Sequence, residues 1–198
     1  MPSLSETDRR ALLELARRAI AEAVSLQRPA GKIPQSGIFA DKRGVFVTLH
    51  ARGRLRGCIG VVEAFEPLGE SIAHSAASAA LRDPRFSPVR SEDLQEIHIE
   101  ISLLSLLEPI RPENIEIGKH GLLVSQGAKR GLLLPQVAVE HKLSREQFLD
   151  ETCRKSGLNT RAWQEPETQI LGFTCEVFSE GEGSGDSHPG MPENGDPS

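Results

Sequence analysis

The chain has 198 residues, of which 38% are hydrophobic and 26% are charged. This length and composition favour one soluble globular domain with a sizeable core, and no apolar run approaches the roughly 18 residues of a membrane span. The net charge of −5 is unevenly placed, because residues 180–198 hold five acids and no Lys or Arg. Residues 1–179 are therefore formally neutral, which argues against nucleic acid as the partner.

The three cysteines, Cys58, Cys153 and Cys175, show neither CxxC spacing nor a nearby pair of histidines. An odd and scattered set argues against a disulfide framework and against a structural metal site. The polar, acidic start of the chain lacks the pattern of a signal peptide, so a cytoplasmic protein is expected. No cofactor is evident either, since the common nucleotide-binding, zinc-protease and hydrolase motifs are missing from the sequence.

The first predicted element is an amphipathic helix from about Leu4 to Leu26, in which apolar residues recur at helical spacing behind a Ser5 cap. A connector with prolines follows it. Two β-branched apolar runs then flank Arg52-Gly53, which predicts a tight hairpin over residues 46–62. In the second run, strict alternation gives two opposite faces: Leu55, Gly57, Ile59 and Val61 on one, and Arg56, Cys58, Gly60 and Val62 on the other.

The second of these faces joins a cation, a thiol and a missing side chain, and it is the main candidate site. A guanidinium such as that of Arg56 favours the thiolate form of Cys58, which is the nucleophile. Gly57 and Gly60 would let a ligand, or another backbone, approach closely. Three interpretations stay open at this point: a reactive thiol, a non-covalent ligand site, and a tight packing point.

Basic residues crowd this hairpin and its entry, with Asp41 as the one acid among them: Lys42, Arg43, Arg52, Arg54 and Arg56. They form either a strand edge protected by charge or a patch that binds phosphate or carboxylate groups. Arg54 and Arg56 are close to Cys58 in the chain and are candidates for holding an anion.

The segment after the hairpin predicts a second helix, from about Pro67 to Arg82, whose middle is crowded with Ala and Ser. Such small side chains let a helix lie close to a neighbouring backbone, and we expect this helix to pack on the glycine-bearing strand. Asp83-Pro84 ends the helix. Asp83 then either caps local amide groups and pairs with Arg85, or leaves Arg85 to project into a cleft.

Residues 96–104 give the clearest strand pattern, with an apolar face and a polar face that carries His98, Glu100 and Ser102. Neighbours two apart on a strand lie about 6.5–7 Å apart, too far for the direct contacts of a hydrolytic triad unless other strands supply partners. The rest of the chain predicts a connector over 109–117, a hairpin with a long loop over 126–131, a helix over 144–156 behind a Ser144 capping box, and a strand over 168–178. An acidic tail rich in Gly, Pro and Ser, expected to be disordered, fills residues 180–198.

Several of these segments occur together, and in the same order, in the AMMECR domain family, which the chain closely resembles over about residues 5–179. Prokaryotic members of that family are known as AmmeMemoRadiSam system protein A. The matching segments are residues 46–49, the hallmark Leu55-Arg56-Gly57-Cys58-Ile59-Gly60, Asp83-Pro84-Arg85-Phe86, residues 99–104, His120-Gly121-Leu122 and residues 133–138.

The resemblance implies an α+β fold with a mainly antiparallel sheet and packed helices, over residues 1–179, in which a larger and a smaller subdomain form a groove beside the hallmark strand. It also implies pathway partners, a Memo-type protein and a radical-SAM protein. The first functional hypothesis is an enzyme, or a component of an enzyme system, that binds a small anionic or nucleotide-like ligand in this groove. The alternative is a non-catalytic adaptor that binds a partner protein or, less favoured, RNA through the basic hairpin. The candidate residues are Cys58 for catalysis and, for ligand binding, Arg54, Arg56, Gly57, Gly60, Asp83, Arg85, Glu100 and His120.

Overall fold

The computed structural model describes residues 4–63 and 65–181. Within these ranges the chain forms four α-helices, seven strands and a few short 3-10 turns. In chain order the helices and strands are α1 (Glu6–Leu26), β1 (Val45–Ala51), β2 (Arg54–Val61), α2 (Leu68–Leu81), β3 (Ile97–Leu104), β4 (Glu108–Pro109), β5 (His120–Gln126), β6 (Lys129–Leu133), α3 (Pro135–Glu140), α4 (Arg145–Lys155) and β7 (Gln169–Ser179).

All seven strands belong to one antiparallel sheet in the order β2-β1-β3-β7-β5-β6, with the short β4 paired to β7. β2 and β6 are the two outer strands, yet Arg130 of β6 forms an ion pair with Glu63, just beyond the end of β2. The sheet therefore curls until its two edges approach each other. The predicted α+β fold with a mainly antiparallel sheet is confirmed.

The convex face of the curled sheet carries the helices. Along β1 and β3, Val47 and Ile99 are fully buried in a large core with α1 and α2. Along β5, Leu122 and Val124 are buried in two smaller clusters with α3 and α4. Each fully buried aliphatic side chain contributes about 1.5–3 kcal/mol, so this burial fixes the strand register. The core thus has a larger part over β1 to β3 and a smaller part over β5 and β6.

The opposite face, here called the concave face, is lined by the side chains that alternate with the core residues. Leu104, Leu123 and Phe173 on this face are at most 2% exposed, although they lie outside the helix-covered clusters. Their burial agrees with a sheet that folds towards itself. Val177 on the same face is 41% exposed, so part of the face is open to solvent. Further residues of the concave face are Phe46, Thr48, His50, Cys58, His98, Glu100, Ser102 and Arg130.

The helix starts that the sequence predicts are confirmed. At α1, the Asp8 N–H donates to Ser5 Oγ at 3.1 Å. At α4, the Gln147 N–H donates to Ser144 Oγ at 3.3 Å and the Ser144 N–H donates to Gln147 Oε1 at 2.8 Å, which forms the predicted capping box. Caps of this kind stabilise a helix by about 1 kcal/mol.

The second hairpin differs from the prediction. The prediction of a long loop over 126–131 is wrong. β5 and β6 stay paired as far as Gln126 and Lys129, which leaves Gly127-Ala128 as the loop. Gly127 has a φ of 59°, as suits a two-residue turn. In addition, Pro109 at the start of the predicted connector belongs to β4, and Pro135 begins α3.

No helix within the described ranges is long and apolar enough to cross a membrane. Of the tail predicted over 180–198, only Glu180 and Gly181 are described. The Glu180 N–H donates to the Ile99 carbonyl at 3.0 Å, and the Glu180 carboxylate forms an ion pair with Arg17. The remaining tail residues lie outside the described ranges.

Candidate functional site

The first hairpin turns at Arg52-Gly53, as predicted. Both residues have a positive φ, 51° and 72°, as a type I′ turn requires. The Arg52 guanidinium donates to both carboxylate oxygens of Glu96, at 2.9 and 2.7 Å, and this hydrogen bonding raises the pKa of Arg52. The turn is thereby tied to the segment that begins β3.

A β-bulge interrupts β2 beside the hallmark cysteine. The pairing of β1 with β2 slips by one residue between Leu49 and His50, and Arg56 is the extra residue with no partner opposite it on β1. The predicted unbroken alternation along β2 is therefore wrong, because the bulge takes Arg56 out of its regular alternation with Cys58. The Arg56 guanidinium donates instead to the carbonyl of Pro88 at 3.2 Å.

Gly57 and Gly60 both allow close packing. A Cβ on Gly57 would lie 2.1 Å from the carbonyl oxygen of Ala79, so the backbone of α2 rests directly on β2. A Cβ on Gly60 would lie 2.2 Å from the carbonyl oxygen of Val45 and 2.6 Å from Cδ1 of Phe46. The predicted contact of the small-residue helix with the glycine-bearing strand is confirmed at Gly57. Both glycines thus have a packing role that needs no ligand.

Asp83 joins the loop after α2 to the backbone of Cys58. The Cys58 N–H donates to Asp83 Oδ2 at 2.9 Å, and the Arg85 guanidinium reaches the Cys58 carbonyl at 3.4 Å. Arg85 also donates twice to the Asp83 carboxylate, at 2.9 and 2.7 Å. Since β2 is an outer strand, the Asp83–Arg85 pair closes its free edge at this point. Of the two interpretations of this loop, the structure shows the Asp83–Arg85 pairing.

Asp83 and Arg85 form an ion pair in which each charge largely neutralises the other. The Asp83 side chain is buried, whereas that of Arg85 is 55% exposed. Hydrogen bonds from the Arg85 guanidinium, together with backbone N–H donors, hold the pKa of Asp83 well below its usual range, although burial acts in the opposite direction. The hydrogen bond to Asp83 raises the pKa of Arg85 in turn, with a smaller contribution from Cys58. Little of the Arg85 charge is therefore left for a ligand.

The Cys58 thiol is half-buried on the concave face. The hydroxyl of Thr48, which lies opposite Cys58 on β1, donates a hydrogen bond to Cys58 Sγ at 3.2 Å. Glu100 lies opposite Thr48 on β3, so the three polar groups form one row across three strands. The other two thiols are less available, because Cys153 is fully buried and burial raises the pKa of Cys175 to about 12.

Arg56 lines a cavity of about 740 Å³ between the hairpin, the loop after α2 and the start of β3. Arg52 in its wall is paired with Glu96, and Arg90 is paired with Glu92 and Asp93. By contrast, Arg56 has no carboxylate partner in the described part of the chain. This cavity, here called the arginine cavity, is lined by Ala51, Arg52, Arg56, Ser87, Pro88, Arg90, Asp93, Glu96 and Ile97.

The other predicted residues lie away from this cavity. Arg54 is exposed at the start of β2 and is not part of the lining. His120 lies on the face of β5 that packs towards α4, and its Nδ1 accepts the N–H of Glu116 at 3.0 Å. Cys58 and Glu100 belong to the concave face. The structure thus divides the predicted site into a polar row at Cys58 and an arginine cavity at Arg56.

Sequence reasoning missed several residues of these surfaces. Ser87 and Arg90 reach the cavity because the loop is anchored, in part by the Val89 N–H, which donates to the Ala80 carbonyl at 2.8 Å. The only feature of the sequence that points to Ser87 and Arg90 is their position shortly after Asp83-Pro84-Arg85-Phe86. The Glu63–Arg130 pair joins residues 67 positions apart and has no local signal. Within residues 4–63 and 65–181, no group of three or more His, Cys, Asp or Glu side chains could hold a metal ion.

Comparison with known proteins gives a consistent result. The AMMECR1 family model matches residues 13–178. A protein of Methanothermobacter thermautotrophicus is 41% identical over 186 residues, which cover 89% of this chain and 96% of the relative. A Methanosarcina barkeri protein is 42% identical over 197 residues, which cover 92% of this chain and 95% of that relative.

A solved structure has the same fold. The crystal structure of an uncharacterized protein from Pyrococcus horikoshii matches with a TM-score of 0.83 at 37% identity, and the match covers 90% of this chain and 94% of that chain. The family model spans most of the described residues, and the relatives match over nearly their whole length. This chain belongs to the AMMECR1 family.

Proposed function

We propose that this protein binds a small anionic ligand in the arginine cavity, beside the Leu55–Gly60 motif. The observation that carries the proposal is that three guanidinium groups line one cavity and that Arg56 has no carboxylate partner in the described chain. Guanidinium groups bind phosphate and carboxylate oxygens through parallel N–H donors. Asp93 and Glu96 offset two of the three positive charges, so the remaining charge is that of Arg56.

The fold holds the two walls of the cavity in a fixed relation. One wall is the hairpin, and the other is the loop that the Asp83 carboxylate attaches to the Cys58 backbone. α2, which leads into this loop, lies on Gly57 without an intervening side chain. A site that is already arranged before binding loses less conformational entropy when the ligand arrives.

The lining favours one of the two predicted ligand classes. Its nine residues include no aromatic side chain, so the cavity offers charge and hydrogen bonds but no stacking surface for a nucleobase. We therefore propose a small phosphate- or carboxylate-bearing compound rather than a nucleotide that is held by its base. Cys58 is not in the lining, so this proposal assigns binding, and no covalent step, to the cavity.

A second candidate function, an adaptor, has one supporting observation. Leu55 is 41% exposed between two arginines of the hairpin. An exposed apolar side chain flanked by cations suits an acidic protein surface with a central apolar contact. The Memo-type and radical-SAM proteins that the resemblance implies are the partners that we propose for this function.

Isothermal titration calorimetry with pyrophosphate at low ionic strength tests the first proposal. Arg56→Gln should weaken pyrophosphate binding about tenfold or more, the cost of losing a hydrogen bond to a charged group. Arg54→Gln is the matched control, since Arg54 is on the same strand but outside the lining, and it should leave the affinity within about twofold. Equal losses in the two variants, or tighter binding of ADP than of pyrophosphate through its base, would contradict the proposal.

A further inference from the structure

We propose that His50 and His98 form a surface site for a divalent transition-metal ion on the concave face. The two residues lie directly opposite each other on β1 and β3. They are 48 positions apart in the chain, so the sequence contains no ligand spacing that could reveal them. The antiparallel register brings them together, and it is fixed by the buried residues that alternate with them.

The hydrogen-bond pattern of the sheet gives the separation of the two histidines. The backbone N–H and carbonyl of Cys58 point outwards to Asp83 and Arg85, so the backbones of Cys58 and Thr48 are not hydrogen-bonded to each other. The backbone N–H and carbonyl of Thr48 therefore point towards β3. His50, two residues further along β1, has the same orientation. The backbones of His50 and His98 are therefore a hydrogen-bonded pair, whose Cα atoms lie about 5.5 Å apart and whose imidazoles can reach one ion at N–metal distances of about 2.0–2.1 Å.

Both imidazoles are available for a ligand. Within residues 4–63 and 65–181, the side chains of His50 and His98 make no hydrogen bond and no ion pair. By contrast, His74 Nδ1 lies 3.1 Å from the Glu66 carboxylate, and His120 accepts a backbone N–H. His98 is exposed and His50 is half-buried.

The His98 ring rests beside Gly181. A Cβ on Gly181 would lie 3.6 Å from Cε1 and 3.7 Å from Nε2 of His98. Binding of an ion requires the exposed ring to turn from Gly181 towards His50. Gly181 itself has no side chain that could hold the ring in this position.

The chemistry of the pair selects the class of ion. Imidazole nitrogen suits Zn²⁺, Cu²⁺ and Ni²⁺, whereas Mg²⁺, Ca²⁺ and Mn²⁺ prefer oxygen ligands. The next polar row, at Thr48 and Glu100, supplies no third ligand, because within residues 4–63 and 65–181 no group of three or more His, Cys, Asp or Glu side chains could hold a metal ion. The site therefore has two protein ligands, and water completes the coordination.

Calorimetric titration of the tag-free protein with Ni²⁺ tests the site. One ion should bind per chain, and His50→Gln and His98→Gln should each weaken binding about tenfold or more, as loss of even a supporting partner of a metal ligand does. His74→Gln, His120→Gln, His141→Gln and His188→Gln are the matched controls and should not change the affinity. Cys58→Ser should also retain it, because the thiol is in the next row.

Three outcomes would overturn the inference. They are absence of Ni²⁺ binding by the folded protein, unchanged binding in both His50→Gln and His98→Gln, and an equal loss in any of the four control variants. Circular dichroism of each variant separates loss of the site from loss of the fold. Arg56→Gln should keep its full affinity for Ni²⁺, so the metal site and the anion site are tested independently.

Discussion

The buried carboxylate of Asp83 accepts the backbone N–H of Cys58 at 2.9 Å, and thereby fixes the loop after α2 to the outer strand of the sheet. Arg85 completes this contact from the carbonyl side of Cys58. The pair replaces the neighbouring strand that β2 lacks. It also sets the position of the loop residues that form one wall of the arginine cavity.

Asp83→Asn should lower the free energy of unfolding at neutral pH by about 2 kcal/mol, because a buried charged acceptor is lost from several hydrogen bonds. The pKa of Asp83 is lowered in the folded state, so its stabilising effect is complete above the ordinary carboxyl pKa near 4 and is lost as the pH falls below it. Urea denaturation at a series of pH values from about 7 to 3 should show the difference between wild type and variant shrinking at the acid end. A difference that stays constant over this range would contradict the role given to the carboxylate.

Gly57→Ala should destabilise the fold by about 2–3 kcal/mol, because its Cβ would meet the backbone of α2, which cannot move aside as a side chain could. Gly31→Ala is the control, since a Cβ there would lie 3.5 Å from the side chain of Glu22. Thermal unfolding of both variants gives the comparison. A Gly57→Ala protein as stable as Gly31→Ala would mean that α2 does not rest on β2 as described.

Much of the fold follows from local patterns. The spacing of apolar residues in α1 is confirmed, and in β3 the predicted apolar face is buried, although Ser102 of the predicted polar face is buried as well. The contact at Gly57 was predictable because a glycine-bearing strand and a small-residue helix are both short of bulk. Such features are properties of a single segment or of two neighbouring segments.

The candidate site was less predictable because it depends on tertiary geometry. The amino-acid sequence around Arg56 does not reveal the β-bulge at that position. The bulge directs the Arg56 side chain to the carbonyl of Pro88. The meeting of Glu63 with Arg130 depends on the curl of the whole sheet. Similarly, His50 and His98 meet only through the register of two strands.

Arg130→Gln should increase the rate at which a thiol reagent labels Cys58. The Arg130 guanidinium joins the two edges of the curled sheet through Glu63, and its hydrogen bond lowers the pKa of that carboxylate. Without this pair the edges can separate and expose the concave face. Labelling with 5,5′-dithiobis(2-nitrobenzoic acid) measures the rate, with Lys129→Gln as the matched control and Cys58→Ser to identify the reacting thiol.

The slow reaction of the other thiols makes this measurement specific, since Cys153 is buried and the pKa of Cys175 is raised to about 12. An unchanged labelling rate in Arg130→Gln would show that the ion pair does not control access to the concave face. An equal increase in Lys129→Gln would attribute the effect to the charge of the hairpin instead.

Binding of a small anion in the arginine cavity can be observed directly by NMR titration of the ¹⁵N-labelled protein with pyrophosphate. If the anion binds there, the Nε–H signal of Arg56 and the backbone amide signals of Ser87 and Arg90 should shift together and saturate, while the Nε–H signal of Arg54 stays in place. Shifts centred instead on Cys58 and Thr48, or spread evenly over all exposed arginines, would contradict it.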